Sequence, residues 1–142
     1  DKIARAQKVA DRNGLANTRF DVVDLAQGPP AHHGSVAILD VLQYLSMEDQ
    51  RQLIANTIAM LVPGAHLVIR TALGDDTTRG RTSRVTDRLA NWVGWMQFRP
   101  KCYPDADAMR AQLAAAGLHS TFEPLYGNTP FNNWLIVASK SG

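Results

Sequence analysis

Between Val36 and Arg70 the apolar positions change their period twice. Residues 36–39 form a continuous apolar run that stops at Asp40. That is the pattern of a short, buried parallel strand whose last residue faces a crevice. From Ser46 the pattern turns helical, with Leu53, Ile54, Ile58, Leu61 and Val62 falling on one stripe. Ser46, followed three residues later by Asp49, predicts an N-cap. Pro63-Gly64 stops the helix, and residues 66–69 read as a second strand. The whole is a β-α-β unit, for which a right-handed crossover is expected. Open α/β sheets bind their ligands beyond the carboxyl ends of the strands. Asp40 and Arg70 are therefore expected near the chemistry.

The flanking segments extend this alternation. Residues 1–12 read as a helix with Ile3, Ala6, Val9 and Ala10 on one face, stopped by Asn13-Gly14. Residues 20–23 predict a short strand ending at Asp24, and Gly28-Pro29-Pro30 marks the loop before Val36. After Arg70 come a polar loop over 73–82 and a helix over 83–96, with Val85, Leu89, Trp92, Val93 and Met96 on its stripe. Asp105 caps a further helix that runs through Ala116 and stops at Gly117. Two last strands follow, over 121–125 and 134–139. The loop between them is rich in turn residues and too short for a helical crossover, so they should be antiparallel neighbours.

A chain of 142 residues is read as a single domain with a real core. Its formal charge of +2 gives no argument for a nucleic-acid partner. Arg79, Arg81 and Arg84 cluster in a Gly/Thr/Ser-rich loop, which reads as a solvated loop or, more sharply, as an anion-facing lid. Cys102 is the single cysteine, so no internal disulfide forms and a reducing, cytoplasmic setting is expected. No apolar run approaches membrane length, no signal-like segment opens the chain, and no zinc-ligand spacing is present.

Six phrases in order resemble the class I S-adenosylmethionine-dependent methyltransferases. Asp1-Lys2-Ile3-Ala4-Arg5-Ala6 is similar to the start of the helix after that family's second strand. Phe20-Asp21-Val22-Val23-Asp24-Leu25 is similar to the third strand and its acidic turn. Ile38 to Leu45, ILDVLQYL, is similar to the fourth strand and the turn after it. Leu61-Val62-Pro63-Gly64-Ala65 resembles the Leu-x-Pro-Gly-Gly turn, with Ala65 in place of the second glycine. LAAAGL, residues 113–118, resembles the helix end before the sixth strand, and Thr129 to Trp134, TPFNNW, the entry to the last strand in a bacterial small-molecule subgroup. The family's first strand and Gly-x-Gly-x-Gly turn have no counterpart here, and the chain opens without a methionine. The resemblance thus implies an α/β, Rossmann-like methyltransferase sheet, mostly parallel with a C-terminal antiparallel hairpin strand and with its N-terminal β-α-β unit missing. It also implies an incomplete domain whose uncovered flanks favour a homodimer or association with an N-terminal fragment.

The resemblance implies S-adenosylmethionine as cofactor and a small organic molecule as methyl acceptor. Asp24 would accept the adenine amine and the Leu25 backbone N–H would reach a ring nitrogen; the plainer role for Asp24 is a turn carboxylate. Asp40 could face the methionine moiety or the substrate, or organise the turn over 42–45. Tyr44 could orient a substrate hydroxyl or pack as a half-buried tyrosine. Arg70 is the candidate counter-charge for an anionic or easily ionised acceptor oxygen, or a surface charge at a strand edge. Asp40, Tyr44 and Arg70 form the candidate catalytic set, with Trp95, Tyr126, Thr129 and Asn132 as candidate acceptor contacts. Trp95 lies off the main stripe of its helix, which favours a ligand or partner contact over core packing.

The histidines point elsewhere. His32, His33, His66 and His119 precede or open strands, at the amino ends away from the crevice, and are expected to take no catalytic part. Two further readings remain: a degenerate methyltransferase-like module that binds a partner chain, and a nicotinamide-dependent oxidoreductase. The second requires a parallel last strand.

Overall fold

The computed structural model describes residues 2–74, 100–125 and 132–140. The chain forms two compact units, Asp1–Pro30 and Ala31–Gly142.

The first unit is built on helix α1, Lys2–Arg12, which buries Ala10 and half-buries Ile3, Ala6 and Gln7. Val9, predicted on the same face, is 57% exposed. At about 100° per residue it falls to the side of the stripe that Ile3, Ala6 and Ala10 define. The helix ends as its Asn-Gly pair requires. Gly14 takes φ 68°, Leu15 N–H donates to Ala10 O at 3.0 Å and Gly14 N–H to Asp11 O at 3.2 Å. These two bonds make a Schellman cap.

Residues 20–23, predicted as a strand, are not one; the chain there is irregular. Val22 is 78% exposed and Val23 41%. The segment is held by the side chain of Gln7, whose Oε1 accepts from Phe20 N–H at 3.0 Å. β-branched residues favour a strand only where a neighbouring strand takes up their backbone groups. A 3-10 turn, Leu25–Gln27, follows Asp24.

The second unit holds a four-stranded sheet in the order β1-β2-β4-β3, with β1 at Val36–Leu39, β2 at His66–Ala72, β3 at Leu118–Pro124 and β4 at Asn133–Lys140. β1 and β2 pair in parallel, Val36 opposite Leu67 and Leu39 opposite Arg70. β4 is antiparallel to both β2 and β3. Three strands therefore run one way and β4 runs against them. The antiparallel pairing of the last two strands matches the sequence reading and excludes the common oxidoreductase form with a parallel last strand. The strands are longer than predicted: β2 continues past Ile69 to Ala72, and β3 starts at Leu118 rather than Thr121. Pairing with β4 supplies the extra ladder bonds along both.

Helix α2, Met47–Met60, joins β1 to β2. Its Ser46 cap is as expected, the hydroxyl accepting from Asp49 N–H at 3.1 Å. The buried stripe is Gln50, Leu53, Ile54 and Thr57, continued by Leu61, whereas the predicted Val62 is 42% exposed. Val62 belongs instead to a type II turn. Ala65 N–H donates to Val62 O at 2.9 Å, and Gly64 sits at φ 79° after Pro63.

Helix α3, Ala106–Ala115, is capped by Asp105, whose carboxylate accepts from Ala108 N–H at 2.7 Å. It lies against β3, with the Arg110 guanidinium 4.2 Å from the centre of the Phe122 ring. Gln112 Nε2 donates to Arg51 O at 2.8 Å and ties α3 to α2. The helix predicted over 83–96 lies outside the described residues.

One face of the sheet carries the core: Ile38, Leu67, Ile69, Thr71, Ile136 and Ala138 are all buried. The helices add Leu53, Ile54, Met109 and Leu113. β1 is not buried on both faces as its unbroken apolar run predicts, for Leu39 is 52% exposed. Side chains alternate along a strand, and β1 lies at a sheet edge, so Leu39 falls on the opposite face from Ile38.

Candidate functional site

The parallel pairing of β1 with β2 brings Asp40 and Arg70 together. Leu39 stands opposite Arg70, and the next residue turns out of the sheet. Asp40 N–H donates to Arg70 O at 2.8 Å, and Asp40 takes φ 56°, the left-handed region. Aspartate is among the few side chains that visit this region readily, though at a cost of about 1–3 kcal/mol. The turn directs its carboxylate at the guanidinium: Arg70 Nε donates to Asp40 Oδ1 at 3.0 Å, and Arg70 Nη2 bonds Asp40 Oδ2. Both side chains are nearly half exposed. The hydrogen bond from Asp40, and then its charge, push the Arg70 pKa above the ordinary guanidinium value. The pairing occupies the Nε–Nη2 edge of the fork, and a guanidinium carries further donors beyond that edge.

After Asp40 the chain enters a 3-10 turn, Leu42–Tyr44. Leu42 is fully buried and Tyr44 half-buried. Two glutamines hold this turn. Gln43 Nε2 donates to Asp40 O at 3.1 Å, while Gln43 Oε1 accepts from Thr71 Oγ1 at 3.4 Å. Gln50, 5% exposed in α2, donates through Nε2 to Leu42 O at 3.0 Å and to Cys102 O at 2.9 Å. The segment after Pro100 docks on the same turn, with Lys101 N–H donating to Gln43 O at 2.7 Å. Sequence reasoning missed Gln50 and set Gln43 aside. A signal for Gln50 existed: it stands with Leu53, Ile54 and Thr57 at helical spacing, and a polar side chain on a buried stripe must find partners.

Asn132, predicted to contact the acceptor, is 1% exposed. Its Nδ2 donates to Leu73 O at 2.9 Å and its Oδ1 accepts from Trp134 Nε1 at 3.0 Å. It thus joins the end of β2 to the start of β4. Trp95, Tyr126 and Thr129 lie outside the described residues. Asp24 and Leu25 belong to the other unit, where Asp24 is exposed and its carboxylate accepts from Gln27 Nε2 at 3.1 Å. An ionised carboxylate is a hydrogen-bond acceptor, the chemistry that suits an exocyclic amino group.

His66 opens β2, and His119 lies near the start of β3. Both stand at the amino ends of these strands, opposite the end that carries Asp40. His32 Nε2 is 3.1 Å from Ser35 O. Among the described residues no cluster of three His, Cys, Asp or Glu side chains is placed to hold a metal ion, and no helix is long and apolar enough to cross a membrane. A groove of about 580 Å³ runs between α2 and α3, lined by Met47, Gln50, Ile54, Pro104 and Met109 among others. Among the described residues, none of the sequence-predicted site residues lines it.

No protein-family model and no curated protein sequence matches the chain. Solved structures do. An O-methyltransferase family protein from Burkholderia thailandensis superposes with a TM-score of 0.65 at 16% identity, over 96% of this chain and 40% of that one. The O-methyltransferase NcsB1 from neocarzinostatin biosynthesis, solved with S-adenosyl-L-homocysteine and 1,4-dihydroxy-2-naphthoic acid, gives 0.61 at 16% identity, over 97% and 39%. The [4+2]-cyclase SpnF gives 0.64 at 15% identity, over 99% and 63%. The chain spans about 40% of the length of the two O-methyltransferases it matches. At these identities what is shared is the fold, and that fold is the one on which S-adenosylmethionine-dependent O-methyltransferases are built.

Proposed function

We propose that the full-length protein transfers a methyl group from S-adenosylmethionine to an oxygen of a small organic acceptor that is anionic or easily ionised. The observation that carries this reading is the bidentate pair between Asp40, at the carboxyl end of β1, and Arg70 of the neighbouring β2 in a methyltransferase fold. The cofactor supplies an electrophilic methyl group on a sulfonium. Asp24 would hold the cofactor's adenine amine, and the Leu25 N–H would hold a ring nitrogen. Asp40 has both carboxylate oxygens on Arg70, so its part here is to orient the guanidinium rather than to take a proton. The remaining donors of Arg70 face the acceptor oxygen and favour its ionised form, because a nearby positive charge lowers an acid's pKa. An ionised oxygen needs no separate base. Alignment and exclusion of water then supply much of the barrier lowering, on the order of 7–11 kcal/mol in well-oriented systems. Tyr44 orients the acceptor hydroxyl, Asn132 ties the end of β2 to the start of β4, and Trp95, Tyr126 and Thr129 are the further candidate acceptor contacts. The 1,4-dihydroxy-2-naphthoic acid bound in the NcsB1 structure carries two hydroxyls and a carboxylic acid, the chemistry that an arginine would read.

Incubation of the full-length protein with methyl-labelled S-adenosylmethionine and a panel of hydroxylated aromatic acids tests the reading. Label is expected in an ether or ester of an acidic member, with neutral analogues methylated more slowly. A second reading, a methyltransferase-like module with other work, is favoured by the likeness to SpnF, named for a cyclase reaction rather than methyl transfer. Cofactor binding without label transfer to any acceptor would support it.

A further inference from the structure

Arg70 and Thr71 are consecutive residues of β2, so their side chains leave opposite faces of the sheet. Arg70 is exposed and Thr71 fully buried, as that alternation requires. The turn after β1 is fastened to β2 on both faces. On the exposed face the Asp40 carboxylate grips Arg70. On the buried face Gln43 does the fastening, donating to the carbonyl of Asp40 itself, with its Oε1 3.4 Å from Thr71 Oγ1, whose single proton also has Ala72 O within reach at 3.1 Å. A left-handed aspartate persists only where its surroundings over-determine it. The bond from Gln43 Nε2 to Asp40 O fixes the peptide plane on the carboxyl side of that residue, while Asp40 N–H to Arg70 O fixes the amino side. The backbone carbonyl of Gln43 also accepts from Lys101 N–H, which anchors the glutamine from a third direction.

We propose that Gln43 is a positioning residue for the Asp40–Arg70 pair. Its side-chain amide holds Asp40 in the left-handed turn from the buried face, so the carboxylate keeps Arg70 in one orientation and leaves the same donors free for an acceptor anion. This rests on the acceptor-facing reading of Arg70, and its test separates the two.

The test uses ¹⁵N-labelled full-length protein with Gln43→Ala and, to preserve volume, Gln43→Met. In the parent protein the Arg70 Nε–H, held by a carboxylate, gives a distinct and slowly exchanging resonance. In both variants it is expected to move to the position and exchange rate of an unpaired arginine, with the fold kept. The KM for an acidic acceptor should rise about 10-fold, as misalignment of a positioned group does, with S-adenosylhomocysteine affinity unchanged. In an Arg70→Ala background Gln43→Met should add nothing to KM. An unchanged Arg70 resonance in folded Gln43→Met overturns the proposal, and so does a full additional loss in the double variant. Loss of the resonance with unchanged KM supports the positioning role and removes the acceptor-facing reading of Arg70 instead.

Discussion

Asp24 and Asp40 each end a short run of strand-favouring residues, Phe-Asp-Val-Val in one case and Val-Ala-Ile-Leu in the other. The structure gives them different surroundings. Residues 36–39 pair one by one with β2, Ile38 is 7% exposed, and Asp40 is fixed by its backbone, its carboxylate and the amide of Gln43. Residues 20–23 belong to no strand, Val22 is 78% exposed, and Asp24 opens a 3-10 turn at the surface. Similar local sequence thus gives a rigid strand end in one place and an irregular segment in the other. The difference lies in the partner: β2 accepts the backbone of β1, whereas the side chain of Gln7 holds Phe20 N–H. A carboxylate built into a paired strand end suits orientation of a charged neighbour. One in a surface turn suits capture of an arriving donor.

The largest expected contrast is in stability. Ile38→Ala should cost about 2–5 kcal/mol, as removal of a buried branched side chain does. Val22→Ala should change stability by no more than about 0.5 kcal/mol, as exposed substitutions do. Urea unfolding of both variants checks this, and equal losses would break the comparison. Next comes the charged pair. Arg70→Ala should raise the KM for an acidic acceptor about 10-fold or more, the scale of a lost charge-assisted bond. Arg70→Lys should recover little, since an ammonium cannot form the bidentate fork.

A smaller effect is expected at the cap of α2: Ser46→Ala should lower stability by about 1 kcal/mol and leave acceptor kinetics alone. The smallest effect concerns pH. Because Asp40 raises the Arg70 pKa, the share of the stabilisation that titrates with Arg70 is complete below the ordinary guanidinium range and is lost as pH rises through the higher folded value. Arg70 therefore adds no titration to the acceptor KM between about pH 6 and pH 10. With an acceptor that has no group of its own titrating in that window, a step that disappears in Arg70→Ala would contradict the assignment.

Much of this was legible in the sequence because the signals are local. Ser46, Asp105, Pro63-Gly64, Gly14 and Gly117 act within one turn of themselves, and each stands where its element begins or ends. The β-α-β order and strand-end rule placed Asp40 and Arg70 at one end of the sheet, and the register made them neighbours. The misreadings are non-local. Residues 20–23 show strand composition, but composition carries no information about whether a partner edge is present. Leu39 belongs to an apolar run that predicts burial on both faces, yet alternation puts it on the face opposite Ile38, where it is 52% exposed. Gln43 is less informative in the sequence because the groups it meets, Asp40 O and Thr71 Oγ1, come together only once the parallel register is formed.

The central claim is tested most directly by calorimetric titration of S-adenosylhomocysteine into the full-length protein, with Asp24→Ala as the paired variant. The account predicts micromolar binding that weakens about 10-fold when the carboxylate is removed, as loss of a charge-assisted hydrogen bond does. A folded full-length protein that binds no S-adenosylhomocysteine would contradict it.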